Sequence, residues 1–270
     1  MKKTILTLLG IMLGSALFAQ NKEIRKVEPF TRLSFNIPGD VIIKQGETQS
    51  VELQGDAELL SKIKTEVTGD KLVIGNKTKW NFNDRDKTKT KVYITVASIK
   101  EINISGSGDL TTDGKFLCEN LDLKISGSGN IKFEGTINGD LEASIAGSGD
   151  FVFKGTCRNA HSNVSGSGNM KLDINVEEEI KLRIAGSGDI KMEGKAKTFD
   201  AKVSGSGNIH GAGFAVTKAD VDIAGSGDVS IDVKDELNSS IAGSGSLRYK
   251  GRPDHLKINT KGSGSVRSID

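Results

Sequence analysis

An all-β fold, a β-solenoid with coils of about 20 residues, is what the sequence predicts, and three observations carry it. The tripeptide Gly-Ser-Gly occurs nine times at a near-constant spacing. Apolar and polar residues alternate on both sides of it, the mark of half-buried strands. The 270 residues include 33 glycines and only 3 prolines, yet 36% are hydrophobic, so the chain is punctuated by glycine and still able to build a core.

Residues 1–19 read as a secretory signal peptide. Lys2 and Lys3 form a positive start, Ile5 to Leu13 an apolar stretch, and Ala19 a cleavage point after small residues. The apolar run is shorter than the ~20 residues that a spanning helix needs. No cysteine near the cut offers a lipid-attachment site, and no later segment could cross a bilayer as a helix. The chain is therefore expected in the periplasm, on the outer surface or secreted. Removing residues 1–19 leaves 35 basic and 35 acidic residues, so general affinity for nucleic acid is not expected.

Residues 20–100 lack the tripeptide and form a less regular β region. Strands are expected around 41–45, 50–53, 71–74 and 91–96. "DAELLSKI" at 56–63 reads as a short helix with Asp56 as its N-cap. The region is expected to seal one end of the solenoid. Its polar stretch "NKTKWNFNDRDKTKTK", 76–91, holds the lone tryptophan. Lys77, Lys79, Trp80, Phe82 and Arg85 there are the candidate contact patch for an acidic glycan or a protein, against the plainer reading of a solvated hairpin.

Residues 101–270 are the repeat. Its tripeptides open at Gly106, Gly127, Gly147, Gly166, Gly186, Gly205, Gly225, Gly243 and Gly262 and close at Gly108, Gly129, Gly149, Gly168, Gly188, Gly207, Gly227, Gly245 and Gly264. Nine copies at one period are one structural device, not nine active sites. Eight residues beyond the first glycine another recurs, at Gly114, Gly135, Gly155, Gly194, Gly213 and Gly251, with Ile174 and Val233 in its place elsewhere. Each unit thus reads as two strands and two turns, one coil of a flattened solenoid whose apolar layers stack on their neighbours. Glycine suits a turn that needs positive φ and a column that leaves no room for Cβ.

The residue after each tripeptide alternates: Asp109, Asn130, Asp150, Asn169, Asp189, Asn208, Asp228, then Ser246 and Ser265. Carboxylates in adjacent coils would repel, and Asn between them doubles their separation. That places the turns in one column, with the side chains returning to nearby backbone N–H groups. The alternation also makes a repeat of about 39 residues, and a coil of that length is the rival geometry. Coils of 20 residues set Cys118 and Cys157 about 10 Å apart, as free thiols, whereas coils of 39 would make them neighbours within disulfide reach.

Gly-Ser-Gly here is no phosphate loop, since no Gly-Lys-Ser/Thr follows, and no dinucleotide fingerprint or nucleophile elbow, which need a helix after the turn. His161, His210 and His255 are scattered without metal spacing. The period is twice that of calcium-binding β-rolls, and every second carboxylate is Asn, so no metal or cofactor is expected. The aligned aspartates are better turn formers than catalytic acids.

The stretches "VEPFTRLSFNIPGDVIIKQGE", "LLSKIKTEVTGDKLVI" and "ITVASIKEINISGSGDL", with the ladder that follows, resemble the head GIN domain family, the auto-transporter adhesins of Gram-negative bacteria. The resemblance covers most of the chain after residue 19. It implies a pectin-lyase-like β-helix without catalytic residues and a role in adhesion. The expected function is that of an exported, non-enzymatic, adhesin-like or cell-envelope protein that binds a glycan or a host or envelope protein surface. The alternatives are a polysaccharide lyase or hydrolase and a structural periplasmic protein. Self-association through the last coil is also expected.

Overall fold

The computed structural model describes residues 21–77 and 90–269. All of its strands join one 21-stranded sheet that winds into a solenoid. The first face of each coil precedes the Gly-Ser-Gly corner and the second follows it. On the first face Leu121–Gly127 lies parallel between Glu101–Gly106 and residues 141–147, with Gly127 level with both Gly106 and Gly147. Gly166, Gly186, Gly205, Gly225, Gly243 and Gly262 continue the same line. One tripeptide per coil fixes the coil at about 20 residues and excludes 39. Ile137 lies between Cys118 and Cys157 in register, and both thiols are free.

Both glycines of the Gly-Ser-Gly corner exclude a side chain, and within the ladder a Cβ at the first also meets the preceding coil, as on Gly147, 2.2 Å from the Gly127 carbonyl oxygen. The first takes positive φ, 98° at Gly106 and 139° at Gly147. The second is barred to a side chain by its neighbour, since a Cβ on Gly149 would sit 2.0 Å from the carbonyl oxygen of Gly129 in the preceding coil. Beyond it runs a ladder of side chains. Asp109 Oδ1 accepts from the backbone N–H of Asn130 at 3.1 Å and from its Nδ2 at 2.7 Å. Asn130 Oδ1 accepts from the N–H of Asp150 at 2.8 Å. Asp150 takes the Nδ2 of Asn169, Asn169 the N–H of Asp189, and Asp189 both groups of Asn208. Asn208 and Asp228 close the series on the N–H groups of Asp228 and Ser246. These oxygens serve the next coil rather than their own turn, which corrects the sequence reading.

A second correction concerns the other turn. In the coil of 121–140, Ile131, Phe133, Gly135 and Ile137 all face inward, so the strand runs through Gly135. The alternation breaks instead at Asn138, Gly139 and Asp140. A similar polar corner falls at Glu177–Glu179 and at Lys234–Glu236. Gly155 and Gly194 add a bend of their own, with 154–156 and 193–195 turned outward. The coil therefore has more than two corners, and the polar one needs no glycine, as Glu177–Glu179 and Lys234–Glu236 show.

Inward side chains fill the solenoid. Phe116, Phe133 and Phe153 stack through three coils, with ring centroids 5.2 and 6.2 Å apart. Almost every inward residue between 102 and 247 is nearly inaccessible to solvent.

The N-terminal region closes one end in an order the chain does not follow. Arg32–Phe35 and Asp40–Gln45 form a coil against Glu101–Gly106 and Asp109–Thr112. Lys71–Asn76 and Lys91–Val96 lie on its far side. Antiparallel strands finish the end: Ile63–Thr68 beside Lys71–Asn76, and Ser50–Gly55 then Asn21–Arg25 beside Lys91–Val96. The helix Ala57–Lys62 connects Ser50–Gly55 to Ile63–Thr68, with Asp56 accepting from the N–H of Glu58 at 2.9 Å as its N-cap.

Candidate binding face

Beside an outward row of serines and alanines next to the tripeptide, the first face carries two parallel outward rows. One runs Glu101, Asp122, Glu142, His161, Lys181, Asp200, Asp220, Asn238, Lys257, and the other Asn103, Lys124, Ser144, Asn163, Arg183, Lys202, Asp222, Ser240, Asn259. None of these residues is apolar. With coils about 4.8 Å apart, nine of them make a strip about 38 Å long. Strand geometry sets this face: inward neighbours such as Leu123 and Ile125 anchor the backbone and leave every second side chain outward.

Two shallow grooves lie along the strip. One of about 400 Å³ is lined by Asp122, Lys124, Glu142, Ser144, His161, Asn163, Lys181 and Arg183. The other, about 810 Å³, runs over Asp200, Lys202, Asp220, Asp222, Glu236 and Asn238 to Lys257 and Asn259. Their charges are mutually held. Arg183 grips Asp200 with two bonds of 2.9 and 3.1 Å. Lys218 pairs with Glu236 at 2.9 Å, which holds the Glu236 carboxyl below its usual range and the Lys218 ammonium above its own. Lys124 bonds Asp122, and that bond raises its pKa. The other oxygen of Asp122, Oδ1, is buried without a hydrogen-bond partner at the edge of the groove.

Among the described residues no group of His, Cys, Asp and Glu has the arrangement of a metal site. His161 lines the first groove, His210 a separate hollow beside Asp228 and Arg248, and His255 sits on the last coil. Of the patch read from the sequence, only Lys77 lies among the described residues. Its Nζ donates to the Ser61 carbonyl at 2.6 Å, tying it to the N-terminal end. Lys79, Trp80, Phe82 and Arg85 lie outside them, as does the expected signal peptide, 1–19. No single residue in the two-row strip is unusual, so the sequence does not single out its members. Its signal is the register of outward positions across coils.

The model of the family described as "Putative auto-transporter adhesin, head GIN domain" matches residues 29–173 and 163–253. The chain belongs to the head GIN domain family. Solved structures share this head GIN architecture across nearly their whole length. One, named "Putative lipid binding protein", from Parabacteroides distasonis, is 24% identical with a TM-score of 0.72, covering 94% of this chain and 98% of that one. A "putative adhesin" from Parabacteroides merdae is 21% identical with the same TM-score and the same coverage. A second "putative adhesin" from Parabacteroides distasonis is 23% identical, with a TM-score of 0.70 over 93% of this chain and 97% of that one. At these identities the likeness is one of fold. No curated protein matches the chain.

Proposed function

We propose that this head GIN protein is an exported, non-enzymatic, adhesin-like protein of the cell envelope, and that the polar strip on its first face is the contact surface. The observation that carries this reading is the strip itself: two unbroken polar rows on a rigid, fully packed scaffold. Such rows offer donors and acceptors in register to a hydroxyl-rich polymer, a glycan, or to a polar protein surface. The carboxylates of the turn column are engaged in the ladder, which weighs against a lyase or hydrolase that needs freely placed acids. The lipid binding named for one structural neighbour would, in this chain, have to occur on the surface, because side chains fill the interior.

The purified protein on glycan and envelope-protein arrays, with mass spectrometry of any product, tests this. Binding without product is expected. Arg183→Ala and Asp122→Ala should each weaken it about tenfold, about 1.4 kcal/mol. Cleavage by the native chain would overturn the non-enzymatic reading, and silence on every array would leave only a structural role.

A further inference from the structure

The two ends of the solenoid are built differently. The N-terminal end finishes in antiparallel strands and a short helix, and its outermost strands, Asn21–Arg25 and Ile63–Thr68, each pair on one side only among the described residues. The other end is a bare coil. His255–Gly262 pairs only with the coil beneath it, as does Ser265–Ser268, so among the described residues no strand covers the outer edge of either. The inward column continues onto this coil, with Leu256 level with Leu237 and Ile258 level with Ser239. Leu237 is fully buried, whereas Leu256 and Ile258 are 46% and 44% exposed, and Ile269 nearby is 40% exposed. Half of the large hydrophobics exposed among the described residues thus sit on this one end.

We propose that this end is a self-association surface on which two copies of the chain stack tail to tail about a twofold axis through Ile258. The sequence of the edge strand supports that occupant. An antiparallel pairing centred on Ile258 sets Ile258 against its own equivalent and Leu256 against Thr260, which keeps the inward side chains together. It sets the outward Lys257 against Asn259, so that neither Lys257 nor Lys261 faces a lysine directly. Of the usual guards against edge pairing, His255–Gly262 carries the outward charges Lys257 and Lys261 but no inward charge and no proline. Head-to-tail stacking would set His255–Gly262 beside Ile63–Thr68, the outermost strand of the first face at the N-terminal end, and would extend without limit. Pairing of two C-terminal ends about a twofold axis instead gives a dimer that stops.

The flanks make a prediction about salt. Lys250, Arg252, Lys257, Lys261 and Arg267 outnumber Asp254 here, so two copies bring like charge together. Added salt should tighten the dimer by screening, whereas an acidic partner strand would be weakened by it. The axis is normal to the first face. Both polar strips then lie on one side, end to end, and a polymer could engage both at once.

Sedimentation velocity of the purified chain over a concentration series should show a monomer–dimer equilibrium. The dimer fraction should rise several-fold between about 0.05 and 0.5 M salt and vanish in Ile258→Lys. Oxidation of Ile258→Cys should give a covalent dimer, because twofold-related positions fall within disulfide reach, while the equally exposed Lys257→Cys, offset by two residues, should not. Cys118 and Cys157 are buried and do not compete. A monomer at every concentration, open-ended growth, equal cross-linking of the two cysteine variants, or a dimer indifferent to Ile258→Lys would each overturn the proposal.

Discussion

Asn130 and Asp150 are nearly the same size, and the turn ladder makes them unequal. Asn130 donates to Asp109 and accepts from Asp150, which a carboxylate cannot do. Asn130→Asp places a carboxylate between two others, about 4.8 Å from each, and should cost about 1–3 kcal/mol at pH 7. A carboxyl in that position has a folded pKa above its unfolded one. Its penalty is present at high pH and fades as pH falls through the folded value, so urea unfolding should show a smaller loss at pH 4. Equal losses at both pH values would show that charge is not the cause. Asp150→Asn keeps the acceptor for Asn169 and should change stability by less than about 0.5 kcal/mol. Gly149, within the ladder, and Gly106, at its start, also differ. Gly149→Ala drives a methyl into the Gly129 carbonyl and should cost about 3 kcal/mol or more. Gly106→Ala meets nothing within 4 Å and should cost only the strain of positive φ, about 1–2 kcal/mol. Burial pushes the thiol of Cys118 up to about 11 and that of Cys157 up to about 12. Both stay neutral at pH 8, so a thiol reagent should label neither in the native chain and both in denaturant. Rapid labelling of the folded protein would contradict the packing.

At the scale of the element, the strands and the tripeptide corner were legible because each is marked by a local pattern, alternation or glycine. The polar corner at Asn138–Asp140 was not, because Glu177–Glu179 and Lys234–Glu236 fill the same place with no turn residue in common. The sequence does hold a trace of it: a run of two or three polar residues where one apolar position is skipped. The Asp and Asn alternation located the column, but no sequence pattern tells whether a side chain bonds its own turn or the next coil. That bond makes coils unequal partners. Deleting residues 169–188 would set Asp189 directly on Asp150, while deleting 150–168 would set Asn169 on Asn130. Each removes one coil. The first variant should melt lower at pH 7, by about 2–4 °C for each kcal/mol of repulsion, and the gap should narrow at pH 4. Melting curves at the two pH values check it, and a gap that does not change with pH would place the difference in the core.

For the whole molecule, the solenoid was legible because repetition states its own architecture. The N-terminal end was less so. Ile37-Pro38-Gly39-Asp40 occupies the corner column beneath Asp109, yet shares no tripeptide with it. The coil of 32–45 is slotted between 71–96 and 101–112 by pairings across dozens of residues, which no local pattern reports. The binding strip lies between these cases, since it is visible in the sequence only once the coil length is known. The bare end and the interior should also differ in dynamics. At concentrations that keep the chain monomeric, backbone amides of 255–268 should exchange hydrogen well before those of 101–112, where coils lie on both sides. Uniform protection would argue against a free edge. The ladder, finally, has a direction. Each finished coil holds out side-chain and carbonyl oxygens that only the following coil can use, as Gly106 and Asp109 do for Ser128 and Asn130. A chain delivered N-terminus first meets a ready template every 20 residues or so, and each newly emerged segment can be captured as it arrives. Such assembly works as a ratchet, in which the order of synthesis is also the order of folding.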